Sequence, residues 1–251
     1  MYISDSTDFG NFMKYKNVLV IIPARGGSKR IVKKNIKEIC GQPMIFWPLQ
    51  QLTKIFLSSQ IIVSTDDNNI KELVEKKGIK VPFKRPKELS DDYTGTTDVA
   101  RHALIWFENN IKSVDYVLIV YPTAVLLNKS DIELAFSYLQ NDKDCDYVFS
   151  ATTFPFPIQR AVFENEHGYV SSFNSDNYKK RSQDLKETFH DAGQFYFFKA
   201  NSLKNTFNFN NSNAKILKLN RNKVVDIDTE EDFEIAEEKM KLLGLLDENH
   251  N

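Results

Sequence analysis

"VLVIIPARGGSKRIVKKNI", residues 18–36, joins a run of aliphatic residues directly to a loop of glycine and positive charge. Five aliphatic residues without a polar break suit a strand covered on both faces, as the central strands of a parallel sheet are. Behind Pro23, Gly26 and Gly27 let a ligand approach the backbone, while Arg25, Ser28, Lys29 and Arg30 supply donors and charge of the kind a polyphosphate needs. Lys33, Lys34 and Asn35 follow at once. The G-x-x-x-x-G-K-[ST] spacing of a P-loop is missing, so the stretch reads as a different phosphate grip or as a solvated basic loop.

The same texture recurs downstream. "QIIVST" (60–65), "DYVLIVYP" (115–122), "DYVFSA" (146–151), "GQFYFF" (193–198) and "KVVDID" (223–228) read as strands. Between the early ones lie helical patterns. "QPMIFWPLQQLTKIFLSS" is one, in which Pro48 kinks the helix or moves its start. "DDNNIKELVEKKG", "GTTDVARHALIWFENN" and "NKSDIELAFSYLQND" are others, and a last helix follows Thr229. Strand and helix in alternation imply an α/β fold with an open, mostly parallel sheet flanked by helices. Ligands of such sheets bind outside the carboxyl ends of the strands. The basic loop, "STDD" (64–67), "YPTA" (121–124) and "SATTF" (150–154) are therefore expected to converge on one crevice.

From residue 152 the pattern changes. Two prolines and two alternating runs around "ENEHG" predict an antiparallel hairpin, and a polar, weakly periodic stretch follows it. We read 152–192 as an insertion within a single domain spanning 17–251. Residues 1–16, without arginine or an apolar stretch, read as a polar leader rather than a targeting segment, and Asn-rich 205–214 as a loop.

Charge excludes some partners. The 251 residues carry 33 Lys and Arg against 34 Asp and Glu, so any anion site must be local and a nucleic-acid partner is not expected. No run of residues is long and apolar enough to predict a membrane span. Cys40 and Cys145 lie far apart with no metal-ligand spacing, which fits a reducing cytoplasm.

Three polar clusters are left to explain. In "DIDTEEDF" (226–233), Asp226 and Asp228 on an extended strand would share one face, about 7 Å apart at Cα, and suit magnesium beside substrate phosphates. Asp228 with Glu231, or Thr229 with Asp232, also fits a helix capping box, and the two uses are compatible. "RSQDL" and "FHDAGQFY" bring Arg181, Gln183, Asp184, His190, Asp191, Gln194 and Tyr196 close in sequence, a mixture suited to a carboxylated, hydroxyl-rich small molecule. "VPFKRPKELSDDYTGTTD" (81–98) reads as a polar lip for a base or ribose, or as a plain surface loop with an N-cap at Thr96 or Thr97.

Taken in order, "IIPARGGSKRIVKKNI", "STDD", "RPKELS", "YPTA", "RSQDL" and "DIDTEEDF" resemble the cytidylyltransferases that activate 3-deoxy nonulosonic acids, the CMP-sialic acid synthetase family. The likeness runs over 18–240. It implies a Rossmann-like fold of the nucleotide-diphospho-sugar transferase type, a homodimer formed through the inserted segment, and magnesium-dependent transfer of CMP from CTP to a sugar. "SATTFPFPIQRA" with "FHDAGQFYF" is most similar to the branch acting on pseudaminate, with legionaminate or a related nonulosonate as the alternative and a non-catalytic nucleotide-sugar sensor as the rival of another class.

Carried over by position, Arg25, Gly26, Gly27, Ser28, Lys29, Lys34, Asn35 and Arg85 are expected at the nucleotide and Asp226 and Asp228 at the metal. Tyr121, Arg181, Gln183, His190, Asp191, Gln194 and Tyr196 are expected at the sugar, and Arg25, Lys34 and Asp228 in catalysis. Sialate-specific members have "RRQ" where this chain has Arg181-Ser182-Gln183, and the missing arginine argues against N-acetylneuraminate as substrate. Val32 and Val125 replace frequent prolines.

Overall fold

In the computed structural model, which describes residues 14–205 and 212–246, the opening run is a strand, β1 (Val18–Pro23), with every residue but the last buried. Its side chains alternate: Val18, Val20 and Ile22 enter one core cluster, Leu19 and Ile21 a second on the opposite face. A strand packed on both sides has no polar face to show, which is why its sequence is continuously apolar.

A small hairpin follows, β2 (Glu38–Ile39) and β3 (Gln42–Pro43), turning through Cys40 and Gly41 with φ of 49° and 84°. Helix α1 spans Phe46–Thr53, so Pro48 sits in the first turn, where its missing N–H leaves no bond unmade. Then come β4 (Ile61–Ser64) and α2 (Asn68–Glu75), whose cap is the Asp67 carboxylate accepting from the backbone of Asn69 and Ile70. Helix α3 (Thr96–Asn110) is preceded by Gly95 at the N-cap, not by Thr96 or Thr97. Strand β5 (Tyr116–Val120), helix α4 (Lys129–Asn141) and strand β6 (Tyr147–Thr153) continue the alternation.

Beyond β6 the chain leaves the sheet. The expected hairpin forms as β7 (Val162–Glu164) and β8 (Val170–Ser172), followed by short 3₁₀ turns. Strand β9 then runs Phe189–Lys199, so Thr152 and Thr153 complete β6, Phe189–Ala192 open β9, and the excursion narrows to 154–188. Helix α5 (Ala200–Lys204), edge strand β10 (Ala214–Lys218) and helix α6 (Glu230–Leu242) complete the fold.

The six-stranded sheet has the order β10-β6-β9-β5-β1-β4, parallel except for β9, which lies antiparallel between β5 and β6. Helices α1, α2 and α4 cover one face; α3 and α5 cover the other. The expected α/β sheet flanked by helices is therefore observed.

Two sequence expectations are corrected. "KVVDID" is not a strand: residues 224–228 lie outside the sheet, and the edge is formed by Ala214–Lys218 beside β6. The reason lies in the carbonyls. Those of Arg221 and Val224 accept from the Lys239 ammonium, and that of Lys223 accepts from the Gln194 amide, so side chains take up acceptors that a neighbouring strand would otherwise use. Secondly, Tyr15 belongs to the core and not to a polar leader; its ring meets Phe56 and Phe136, and its carbonyl accepts from Gln60. Burial pushes its phenol up to about 12. Residues 1–13 of the expected leader and 206–211 of the expected loop lie outside the described residues.

A third apolar cluster has the most bearing on function. It joins Ile31 of the basic loop, Ile227 of the acidic segment, and Phe233, Ala236 and Met240 of α6 with Trp47, Val125 and Leu126. Ile227 is fully buried there, which pins the segment between its two aspartates. Helix α6 begins in a capping box: Thr229 Oγ1 accepts from the Asp232 N–H, and Asp232 Oδ2 accepts from the backbone of Thr229 and Asp228. Thr229→Ala should cost about 1 kcal/mol, a fall of about 2–4 °C in Tm, read by thermal denaturation.

Candidate functional site

Around the carboxyl ends of β1 and β5 opens a crevice of about 520 Å³. One wall is the basic loop with Arg25, Ser28, Lys29, Arg30, Lys34 and Asn35; the other is the lip containing Asp91, Asp92, Thr94 and Thr96. Tyr121, Arg85 and Asp228 also line it. Hydrophobic packing explains how Asp228 arrives there, since Ile31 and Ile227 share one cluster and draw loop and acidic segment together.

The cations are held by carboxylates. Asp228 takes Lys34 Nζ at 3.1 Å on one oxygen and Arg30 at 2.9 Å on the other, while Lys34 also donates to the Ile227 carbonyl at 2.8 Å. Asp92 takes Lys29 Nζ at 2.5 Å and Arg25 at 2.7 Å, and Arg25 donates further to the Asp91 carbonyl. Hydrogen bonds from Lys29 and Arg25 hold the Asp92 carboxyl below the usual carboxylate range. The pairing of Asp92 with Arg25 was not legible in sequence, the only signal being that both stretches were polar and followed strands or preceded helices.

Other parts of the loop serve its shape. The Gly26 N–H donates to Asp66 at 3.0 Å, and a Cβ on Gly26 would stand 2.6 Å from Asp67 Oδ2 and 2.8 Å from Asp67 Cβ, so only glycine fits against the β4–α2 turn. Around Gly27 the space is open. Buried Asn35 donates to the Arg25 carbonyl at 2.8 Å and ties the loop's two ends together. Arg85 is buried, with hydrogen bonds to the hydroxyl and carbonyl of Ser64 and, among the described residues, no carboxylate in an ion pair with it; burial lowers its pKa to about 10.

Next along the sheet edge come the aromatic and acidic residues of β9. Tyr121 and Tyr196 lie 6.2 Å apart between ring centroids, and the Tyr196 hydroxyl donates to Asp191. Burial raises the Asp191 carboxyl, and Asp226 raises it further. Asp226 is itself raised, by burial and then by Asp228, and among the described residues no hydrogen bond or ion pair reaches its carboxylate. Two neighbouring carboxylates, one without a partner and destabilised as an anion, are a donor set that fits a hard divalent cation supplemented by phosphate oxygens.

The four strand-end loops do not form one crevice. Because β9 stands between β5 and β6, "SATTF" faces a second cavity of about 290 Å³, lined by Phe154, Pro155, Pro157, Gln183 and Leu185 among others. "STDD" supports the first crevice from behind through Ser64 and Asp66. His190 contacts the Asp191 carbonyl through Nδ1 and lies against Phe154, on the side of the second cavity. Arg181 is exposed at the start of a 3₁₀ turn, and Gln194 is buried with its amide on the Lys223 carbonyl.

The family model for cytidylyltransferases matches residues 19–242. The chain is 41% identical over 220 residues to the pseudaminic acid cytidylyltransferase of Campylobacter jejuni, covering 87% of this chain and 94% of that relative. It is 30% identical to the CMP-N,N'-diacetyllegionaminic acid synthase of the same species, over 91% of this chain and 97% of that one. Among solved structures, CMP:2-keto-3-deoxy-manno-octonic acid synthetase complexed with CTP superposes with a TM-score of 0.68 at 17% identity, covering 90% of this chain and 99% of that one, a likeness of fold.

Proposed function

The chain belongs to the cytidylyltransferase family, and from that premise we propose that it transfers CMP from CTP to the anomeric hydroxyl of pseudaminic acid, releasing pyrophosphate. The observation that carries the reading is the meeting of Arg25, Lys29 and Lys34 with Asp228 in one crevice at the sheet's carboxyl edge. Phosphate-binding cations there adjoin carboxylates of the kind that hold a metal beside phosphates. The choice of sugar follows the relative with 41% identity.

In this reaction the anomeric oxygen attacks the α-phosphorus, a new O–P bond forms, and the bond to the β-phosphate's bridging oxygen breaks as pyrophosphate departs. Arg25 and Lys29, exchanging Asp92 for phosphate oxygens, and Lys34 beside Asp228 hold the phosphates in line and neutralise the leaving group. Asp226 and Asp228 would hold magnesium, which supplies further charge neutralisation at the phosphates. The hydroxyl proton passes to an aspartate of the same segment. Tyr121, Asp191 and Tyr196 stand next along the edge, where the sugar must enter.

Pyrophosphate release measured with CTP, magnesium and purified sugars tests the proposal. Pseudaminate should turn over fastest and N-acetylneuraminate slowest. Faster turnover of diacetyllegionaminate reassigns the sugar, and no release with any of the three overturns the catalytic reading.

A homodimer is part of the same proposal. The excursion exposes Phe156 (80%), Val170 (77%) and Phe173 (74%), an apolar surface that a second copy would cover. The parent should sediment as a dimer and a Phe156→Glu/Phe173→Glu variant as a monomer; a monomeric parent at micromolar concentration removes this element. CTP chemistry and two unpaired cysteines fit a cytoplasmic location.

A further inference from the structure

We propose that Gly193 and Gln194 are positioning residues for the acidic segment: a bulge in β9 sets where Asp226 stands and thereby the affinity of Asp226 and Asp228 for a divalent cation. The inference rests on the metal reading of that pair.

The bulge is visible in the register. Phe149 pairs with Tyr196 and Ala151 with Asp191, so β6 advances two residues while β9 advances five. The surplus is folded into Ala192-Gly193-Gln194. Asp191 Oδ1 accepts the Gly193 N–H at 2.8 Å, and Gly193 adopts φ +63°, a conformation that disfavours a side chain. On either side the Tyr121 N–H donates to the Gln194 carbonyl at 2.9 Å, and the Phe195 N–H donates to Ser150 Oγ at 3.2 Å. The bulge is thus fixed to both neighbouring strands.

It meets the acidic segment at two points. A Cβ on Gly193 would stand 3.3 Å from Asp226 Cγ and 3.4 Å from Oδ1, so the glycine is the surface on which the carboxylate rests. Gln194 Nε2 donates to the Lys223 carbonyl at 2.5 Å, three residues earlier. The Gln194 side chain is buried and among the described residues its Oε1 has no partner, an arrangement that is costly unless the bond at its other end matters. Since no protein donor among the described residues holds the Asp226 carboxylate, its place is fixed by these backbone neighbours and by buried Ile227. This gives Gln194 work in the interior, not at the sugar.

Full-length Gly193→Ala, Gln194→Met and Asp226→Asn proteins test it. Mn²⁺ binding is followed by electron paramagnetic resonance with CTP present, CTP binding without metal by calorimetry, and the KM for the sugar by pyrophosphate release. The two β9 variants should lose about tenfold in Mn²⁺ affinity and Asp226→Asn more, with metal-free CTP affinity within about twofold of the parent. Parent-like Mn²⁺ affinity in Asp226→Asn overturns the metal reading and this inference with it. Loss in Asp226→Asn with retention in both β9 variants overturns the inference alone, as does a raised sugar KM with parent-like Mn²⁺ affinity in Gln194→Met. Should Gly193→Ala fail to fold, Gln194→Met decides.

Discussion

Asp228→Ala is expected to lower kcat by about a thousandfold or more, the loss typical when a charge-stabilising group is removed from a phosphoryl-transfer site. Two effects combine. The variant lacks one of two carboxylates proposed to hold the metal, and it leaves Lys34 and Arg30 without the anion that both now engage. The fold should survive, because the cap of α6 is made by Thr229 and Asp232 and the apolar anchor is Ile227. Far-ultraviolet circular dichroism should match the parent while single-turnover CMP transfer collapses. A near-normal rate would remove Asp228 from the metal site, and a lost spectrum would show a structural role instead.

The sequence disclosed the sheet better than the site. A strand such as β1 announces itself because both faces are buried and alternate residues enter separate clusters, leaving no position for a polar residue. "KVVDID" misled for a related reason: Val224 and Ile227 are both buried, so the segment is locally as apolar as a strand, yet its carbonyls are taken by Lys239 and Gln194. No local pattern reports that competition.

Asp226 and Asp228 were legible as a pair, but their meeting with the basic loop depends on Ile31 and Ile227 packing together across some two hundred residues of sequence. Asp92, by contrast, sits in a stretch whose pattern is that of any surface turn. Its contact with Arg25 and Lys29 arises only once the lip before α3 folds over the end of β1. The antiparallel insertion of β9 was hidden too, since "GQFYFF" reads equally well in either direction, and this alone separates the second cavity from the first.

Lys34→Ala should show a different loss from that of Asp228. Its side chain is four-fifths shielded and its ammonium bonds both the Ile227 carbonyl and the Asp228 carboxylate, so it joins loop and acidic segment while lining the crevice. Truncation removes a charge for the triphosphate and also frees Asp228 to shift. We expect kcat/KM for CTP to fall about a hundredfold, with the magnesium concentration for half-maximal rate rising and the sugar KM unchanged. Lys34→Arg should recover only part, because a planar fork cannot reproduce a point donor shared between a carbonyl and a carboxylate. The neighbour is the control. Lys33 is exposed, does not line the crevice, and holds a left-handed φ of 52°, so Lys33→Ala loses positive charge of the same size a single residue away. If kinetics depend on where the charge stands, Lys33→Ala stays within about twofold of the parent. Equal losses in the two variants would mean that only the loop's overall charge matters, and Lys34 would lose its assigned place at the phosphates.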